Sequence, residues 1–211
     1  MLLLAIDTSG KDGSIALARC DAANCTVLDL SPLEGGAFSA QLVPQIAALL
    51  KKHAFTKNDI DAFAATSGPG SFTGLRVGLA AIKALAEVLN KPIAPVSLLE
   101  AIAANAREPA LAAMDAGRKE IYLRQQDCSE SLLTREGFLT AAGGQLIITP
   151  DQSIADFARA ASVKVEVVPR PRSDAIAQLG WKKIQSGQTV SPDALDANYL
   201  RRSDQIFAKS S

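Results

Sequence analysis

Three glycines four residues apart, Gly70, Gly74 and Gly78, stand where an apolar segment gives way to a helical pattern, and they constrain the fold more than any other feature. The phrase reads Ser67-Gly68-Pro69-Gly70-Ser71-Phe72-Thr73-Gly74-Leu75-Arg76-Val77-Gly78. Ile60 to Ala65 has the pattern of a short buried strand and Leu75 to Leu89 that of a helix, so the glycines lie along one helical stripe. At roughly 100° per residue, Gly74, Gly78, Ala81 and Leu85 share a face. Leu75, Leu79, Ile82, Ala86 and Leu89 form a bulkier face beside it, and Arg76, Lys83 and Glu87 hold the solvated side. Each helical glycine costs about 1 kcal/mol relative to alanine, so two in one helix imply close approach of another backbone. The pattern predicts two buried faces, one on a sheet and one on a partner helix. A phosphate cradle is the competing reading, because a glycine-rich turn opening a helix offers free N–H groups to anions. Leu75 and Arg76 follow Gly74 where a P-loop needs Lys and Ser or Thr, and Gly68, Gly70 and Gly74 are spaced one residue too widely for the dinucleotide fingerprint. A tight turn with helix packing and a ligand role both stay open.

A chain of 211 residues with 48% hydrophobic content buries a sizeable core, as one larger domain or two lobes. Its apolar start, Met1 to Ile6, stops at Asp7, lacks a basic leader and is too short for a signal peptide or a membrane span, so a cytoplasmic protein without membrane contact is expected. Lys+Arg and Asp+Glu both total 22, which removes any whole-molecule field toward nucleic acid. The segment from Lys164 onward is more basic, with Arg170, Arg172, Lys182, Lys183, Arg201 and Arg202, and reads as a solvated face. Cys20, Cys25 and Cys128 lack metal spacing; Cys20 and Cys25 flank a hairpin turn, Asp21-Ala22-Ala23-Asn24, and are expected to face each other as reduced thiols. The single histidine, His53, ends the first long helix as a surface residue or C-terminal cap, and no metal site is expected. Ser67 or Ser71 as a nucleophile would need a base, and only distant His53 is on offer.

The chain also repeats itself. Leu3-Leu4-Ala5-Ile6-Asp7-Thr8-Ser9-Gly10 runs into Ser14 to Ala18, and about half a chain later Leu111-Ala112-Ala113-Met114-Asp115-Ala116-Gly117 runs into Glu120 to Leu123. Each is an apolar strand ended by Asp, a turn, and a second strand, followed by helical segments, as expected of two related lobes each built on a sheet. The first lobe, 1–106, takes a strand over Thr26 to Leu30, a helix from Ser39 to Lys52 with Ser39 as N-cap and Pro44 near its first turns, the glycine phrase with its helix, strand Ile93 to Val96 and helix Leu98 to Ala106. The second lobe, 107–211, takes strand Gln145 to Ile148, helix Ile154 to Ala160, strand Val163 to Val168 and helix Asp174 to Gln185. For a tail from about 190, packing back on the first lobe and packing on the second both stay open.

Two lobes that open with strand-Asp-turn-strand resemble the actin, sugar-kinase and Hsp70-like (ASKHA) fold, an α/β class with a duplicated mixed sheet and flanking helices. Gly68 to Gly78 narrows the match, and with Ala5-Ile6-Asp7-Thr8-Ser9, Asp115, Glu120-Ile121-Tyr122 and Tyr199-Leu200-Arg201 the chain closely resembles the bacterial TsaB (YeaZ) family over nearly its whole length. Two departures stand out: Phe38 precedes Ser39 where the family commonly has His, and Thr149-Pro150-Asp151 replaces a Gly-Asp-Gly-like turn. The resemblance implies a non-catalytic subunit that pairs with the catalytic paralogue TsaD, works with the ATPase TsaE and forms a homodimer alone. It implies transfer of a threonylcarbamoyl group to the adenosine beside the anticodon of tRNAs reading A-starting codons, with tRNA met only through the complex. No catalytic residue and no cofactor of its own are expected, any ATP or ADP belonging to the interface of the complex.

On this reading the helices at 39–52 and 75–89 pack against a second subunit through Gly70, Phe72, Gly74, Arg76, Val77, Gly78, Ala81 and Leu85. Asp7, Thr8, Ser9 and Asp115 occupy positions where related ATPases gather magnesium and phosphate, as a vestigial nucleotide site, although acidic turns also serve as structural devices that bond turn N–H groups, which is the preferred reading. An ATP-dependent small-molecule kinase of the same fold is the alternative function, and a stand-alone tRNA-binding module is disfavoured by zero net charge.

Overall fold

The structure, a computed structural model, describes residues 1–200; Arg201 and Arg202 lie outside them. It divides into two compact units, Met1–Leu98 with Pro171–Ala197, and Leu99–Arg170 with 198–200. The first unit is built on a five-stranded sheet of order β3-β2-β1-β4-β5, with β1 at Leu2–Asp7, β2 at Gly13–Cys20, β3 at Cys25–Leu33, β4 at Ala62–Gly68 and β5 at Ile93–Ser97. β1 is antiparallel to β2 and parallel to β4. Every residue of β1 is buried, as a continuous apolar run in a strand covered on both faces requires.

The two faces of this sheet differ in size. Cross-strand register aligns Leu4 with Leu17 and Phe63, and Ile6 with Ile15 and Ala65, on one side. The other side carries Ala5 opposite Ala16 and Ala64, and Ala64 opposite Ala94. Alternation along each strand segregates them. The bulky face packs under α1 (Phe38–Lys52) and α2 (Phe72–Leu89), whose Leu42, Ile46, Leu79 and Ile82 join the same core as Leu4, Ile6 and Phe63. The alanine face takes α6 (Ser173–Gln185), which lies across all five strands. Gly180 rests on Ala64, and a side chain at Gly180 would collide with the Ala64 methyl.

The chain therefore leaves the first unit after Leu98 and returns to it at Pro171. Sequence reading places the 174–185 helix in a second lobe beginning at 107; the structure places it on the first sheet, because only a helix with a small contact residue can approach a face of alanines this closely. The return continues past α6. Val190 exchanges backbone hydrogen bonds with Ile93, at 2.8 and 3.2 Å, and Leu195 is buried in the first core.

The second unit repeats the pattern. Its strands β6 (Ala110–Gly117), β7 (Glu120–Arg124), β8 (Glu130–Thr134), β9 (Leu146–Thr149) and β10 (Val165–Val167) form a sheet of order β10-β9-β6-β7-β8. β6 is antiparallel to β7 and parallel to β9, as β1 is to β2 and β4. Helices α4 (Arg135–Ala142) and α5 (Gln152–Ala160) cover a core of Leu111, Ala113, Ile121, Leu123, Phe138 and Ile147. A short α3 (Leu98–Ala103) precedes it. β8 and α4 have no counterpart in the sequence reading. Their signal was a Thr134 cap, whose Oγ1 accepts from Gly137 N at 3.2 Å, and a stop at Gly143 with φ 51°.

Glu130 fastens the open edge of this sheet. Arg124 Nη1 donates to its Oε1 at 3.0 Å and Asn198 Nδ2 donates to its Oε2 at 2.7 Å. The Glu130 side chain is 8% exposed and that of Arg124 17%. Glu130→Ala leaves a largely buried guanidinium without this partner, and is expected to cost about 3 kcal/mol in urea unfolding. A loss under about 1 kcal/mol would show the pair to be screened like a surface contact.

Candidate protein-interaction site

The glycine phrase is locked to the turn that follows β1. Ser71 N–H donates to the Ser9 carbonyl at 2.8 Å, and Ser71 Oγ caps the helix by accepting from Gly74 N at 3.2 Å. α2 thus begins at Phe72, earlier than its apolar pattern, and carries Gly74 in its first turn. A Cβ at Gly70 would strike the Ser9 carbonyl oxygen, one at Gly74 the Thr8 carbonyl oxygen, and one at Gly78 the Thr8 hydroxyl. The close approach inferred from the glycines is real, but its object is the chain's own β1 turn. Gly74 and Gly78 are buried there. Ala81 and Leu85 are half-buried against the first core. Of the other residues assigned to a partner face, Gly70, Phe72 and Val77 are half-buried as well and Arg76 is exposed, with the Arg76 guanidinium stacked over the Phe72 ring at 4.1 Å from its centroid.

The outward face of these helices is a different set of residues. On α2, Thr73, Ala80, Ala84 and Val88 are exposed and Val77 is half-buried, a spacing that places all five on one stripe. On α1, Ala40, Val43, Pro44 and Ala47 are exposed along a second stripe, and the two helices pack against each other. None of these nine residues is charged, although exposed Lys51 continues the α1 stripe and exposed Glu87 borders that of α2. Val88 is 73% and Val43 56% exposed, which is unusual for branched apolar side chains on amphipathic helices. Sequence reading gave this side of α2 to Arg76, Lys83 and Glu87; the uncharged positions between them at 80, 84 and 88 were the available signal. A cleft of about 300 Å³ opens where both helices begin, lined by Lys11, Phe38, Ser39, Ser71, Thr73 and Val77.

The acidic turns are consumed locally. Asp7 is 3% exposed, and its Oδ1 accepts from Ser9 N at 2.9 Å and from Ser9 Oγ at 2.6 Å. Thr8 sits under Gly74 and Gly78. Asp115 is exposed and does the equivalent work in the second unit, its Oδ1 accepting from Gly117 N at 2.9 Å while its own N–H donates to Asp151 Oδ2 at 2.7 Å. Both are side-chain-to-backbone turns. His53 caps the C-terminus of α1, with Nε2 2.9 Å from Asp29 Oδ2, which also accepts from Lys52 Nζ at 2.6 Å. Those two hydrogen bonds, Lys52 first, hold the Asp29 carboxyl down at about 2. Cys20 and Cys25 are bonded to each other, where reduced thiols were expected. They oppose each other next to the Asp21–Asn24 pair that closes the turn, a register that brings their Cα atoms to 4.0 Å. Among the described residues no group of three or more His, Cys, Asp or Glu is placed to hold a metal ion.

Comparison with known proteins sets this geometry in a family. A family model described as TsaD, tRNA N6-adenosine threonylcarbamoyltransferase, matches residues 35–186. The tRNA threonylcarbamoyladenosine biosynthesis protein TsaB of Haemophilus influenzae is 34% identical over 130 residues, 59% of this chain and 53% of that protein. The chain belongs to the TsaB (YeaZ) family. TsaB of Bacillus subtilis is 36% identical over 107 residues, 51% of this chain and 45% of that protein. The chain thus spans about half the length of the curated relatives it matches. The solved structure of YeaZ from Pseudomonas aeruginosa is 25% identical, with a TM-score of 0.74 over 94% of this chain and 99% of that one. The two mixed sheets with flanking helices are the duplicated α/β architecture of the ASKHA fold. Among the described residues no helix is long and apolar enough to cross a membrane.

Proposed function

We propose that this chain is a non-catalytic, cytoplasmic subunit of the complex that transfers a threonylcarbamoyl group to the adenosine beside the anticodon of tRNAs reading A-starting codons. It docks on the catalytic paralogue TsaD through the outward stripes of α1 and α2, and the pair recruits the ATPase TsaE. In the absence of TsaD the same stripes close a homodimer. The observation that carries this reading is the uncharged surface at Ala40, Val43, Pro44 and Ala47 on α1 and Thr73, Val77, Ala80, Ala84 and Val88 on α2. Small residues there allow the helices of a second subunit to approach closely, and a homodimer formed by one self-complementary patch needs no other surface. A non-catalytic role is supported by Asp7, whose carboxylate is committed to the Ser9 turn. An ATP-dependent kinase of the same fold would need that carboxylate to turn outward. ATP or ADP is assigned to the assembled complex.

Reconstitution tests the proposal. TsaD and TsaE from the same source, incubated with unmodified tRNA, ATP, threonine, bicarbonate and the enzyme that makes the threonylcarbamoyl adenylate, are expected to yield modified adenosine by mass spectrometry only when this chain is added. Equal yield without it would refute the role.

A further inference from the structure

Arg76 and Glu87 border the outward face of α2 on the same side. They stand eleven positions apart, about three turns, which leaves them only about 20° apart around the helix axis. Both are exposed, and Ala80 and Ala84 lie between them along the axis. The other border of the face, at half-buried Ala81 and Leu85, carries no charge. Glu87 lies in the last turn of α2, which holds no basic residue, and the negative end of the helix macrodipole disfavours a carboxylate there. Among the described residues that carboxylate has no hydrogen-bond or ion-pair partner. The first turn of α2 is the converse, with Arg76 beside it and no acidic residue of its own. One end of the helix lacks a cation and the other lacks an anion.

We propose that a second copy of this chain covers this face with its α2 running antiparallel, so that Glu87 of each copy reaches Arg76 and the first turn of α2 in the other; this rests on the function proposed above, in which the same face closes a homodimer. A two-fold axis that crosses α2 reverses its direction and sets each border of the face against the same border of the second copy. A two-fold axis along α2 keeps the direction and sets each border against the opposite, uncharged one, leaving both charges without a counterpart. Only the crossing axis makes the face self-complementary in charge. The exposed positions fit it too. With the axis between Ala80 and Ala81, Thr73 faces Val88 of the second copy and Val77 faces its Ala84, while Glu87 comes level with Arg76 to about 3 Å along the helix, a gap two long side chains span. Arg76 keeps its place over the Phe72 ring, and its fork of N–H donors adds the carboxylate to the contacts it makes within its own chain.

The test uses the full chain. Sedimentation equilibrium at low ionic strength reads the dimer constant of wild type, of Arg76→Glu, of Glu87→Arg and of the double variant carrying both. Each single reversal sets like charges against each other twice per dimer and is expected to weaken the dimer at least about tenfold, and the double variant to return to within about threefold of wild type. A merely structural role for either residue would not be rescued by the exchange. Direction is read by crosslinking in a Cys128→Ser background. Thr73→Cys and Val88→Cys chains are expected to form an intermolecular disulfide on oxidation when mixed, and neither to do so alone. Efficient crosslinking of each variant with itself would give the parallel arrangement and overturn the proposal. So would a dimer constant unmoved by the single reversals, or a wild-type chain that stays monomeric up to about 1 mM. Loss of TsaD in a pull-down at an unchanged homodimer constant would assign Glu87 to the paralogue contact and overturn it as well. The functional reading fails separately, if omitting the wild-type chain from the reconstitution leaves tRNA modification unchanged.

Discussion

Replacing Gly74 by alanine is expected to lower the unfolding free energy by about 3 kcal/mol, although alanine is the better helix former by about 1 kcal/mol. The added methyl meets the carbonyl oxygen of Thr8, a backbone atom held by the β1 turn that cannot rotate aside. Relief requires either α2 to lift from the sheet or the Asp7–Ser9 turn to open, and opening that turn breaks the two hydrogen bonds to Asp7 Oδ1. Gly74→Leu is expected to give no soluble folded protein. Urea unfolding of Gly74→Ala beside Gly137→Ala separates this from glycine effects in general, since Gly137 also lies in the first turn of a helix and a Cβ there makes only ordinary contacts, 3.4 Å from Thr134 Oγ1. Gly74→Ala at or above wild-type stability would show that helix propensity, and not the fit against Thr8, governs the position.

Ala84→Glu is expected to do the opposite: it leaves the monomer intact and abolishes assembly. Ala84 is exposed in the middle of the outward stripe, so a carboxylate there is solvated in the monomer and should change stability by less than about 0.5 kcal/mol. Buried against a second helix without a partner, the same charge should weaken association with TsaD by roughly 100-fold or more, on the order of 3 kcal/mol. Titration calorimetry with a thermal melt of the free chain reads both quantities. Unaltered binding would move the interface off α1 and α2. Gly78→Leu cannot serve this purpose, because its side chain enters the Thr8 contact and disturbs the fold first.

The contrast between these two positions marks what the sequence could disclose. Local patterns were sufficient for the continuous apolar run of β1, for the two strand-Asp-turn-strand repeats at Asp7 and Asp115, and for most of α1 and α2. The glycine stripe was equally plain, and its meaning, close backbone approach, was sound. Its target was not legible, because Thr8 lies more than sixty residues earlier and a helical wheel cannot say which neighbour occupies a groove. Residues 80, 84 and 88 were passed over because Arg76, Lys83 and Glu87 interleave with them, and charge dominated the reading of that side. The placement of α6 failed for a related reason. Alternating alanines at 16 and 18, and again at 62 and 64, announced a face too shallow for a bulky helix, but matching it to Gly180 requires knowing that a helix so late in the chain comes back.

That return has a consequence for synthesis. While the ribosome is still making residues 99–170, the sheet of the first unit has its α1–α2 side available but nothing to set against its alanines. The core of the second unit, drawn wholly from residues between Leu111 and Val165, can close earlier. A nascent chain halted near residue 170 would therefore hold one closed core and one sheet with a bare flank until α6 emerged.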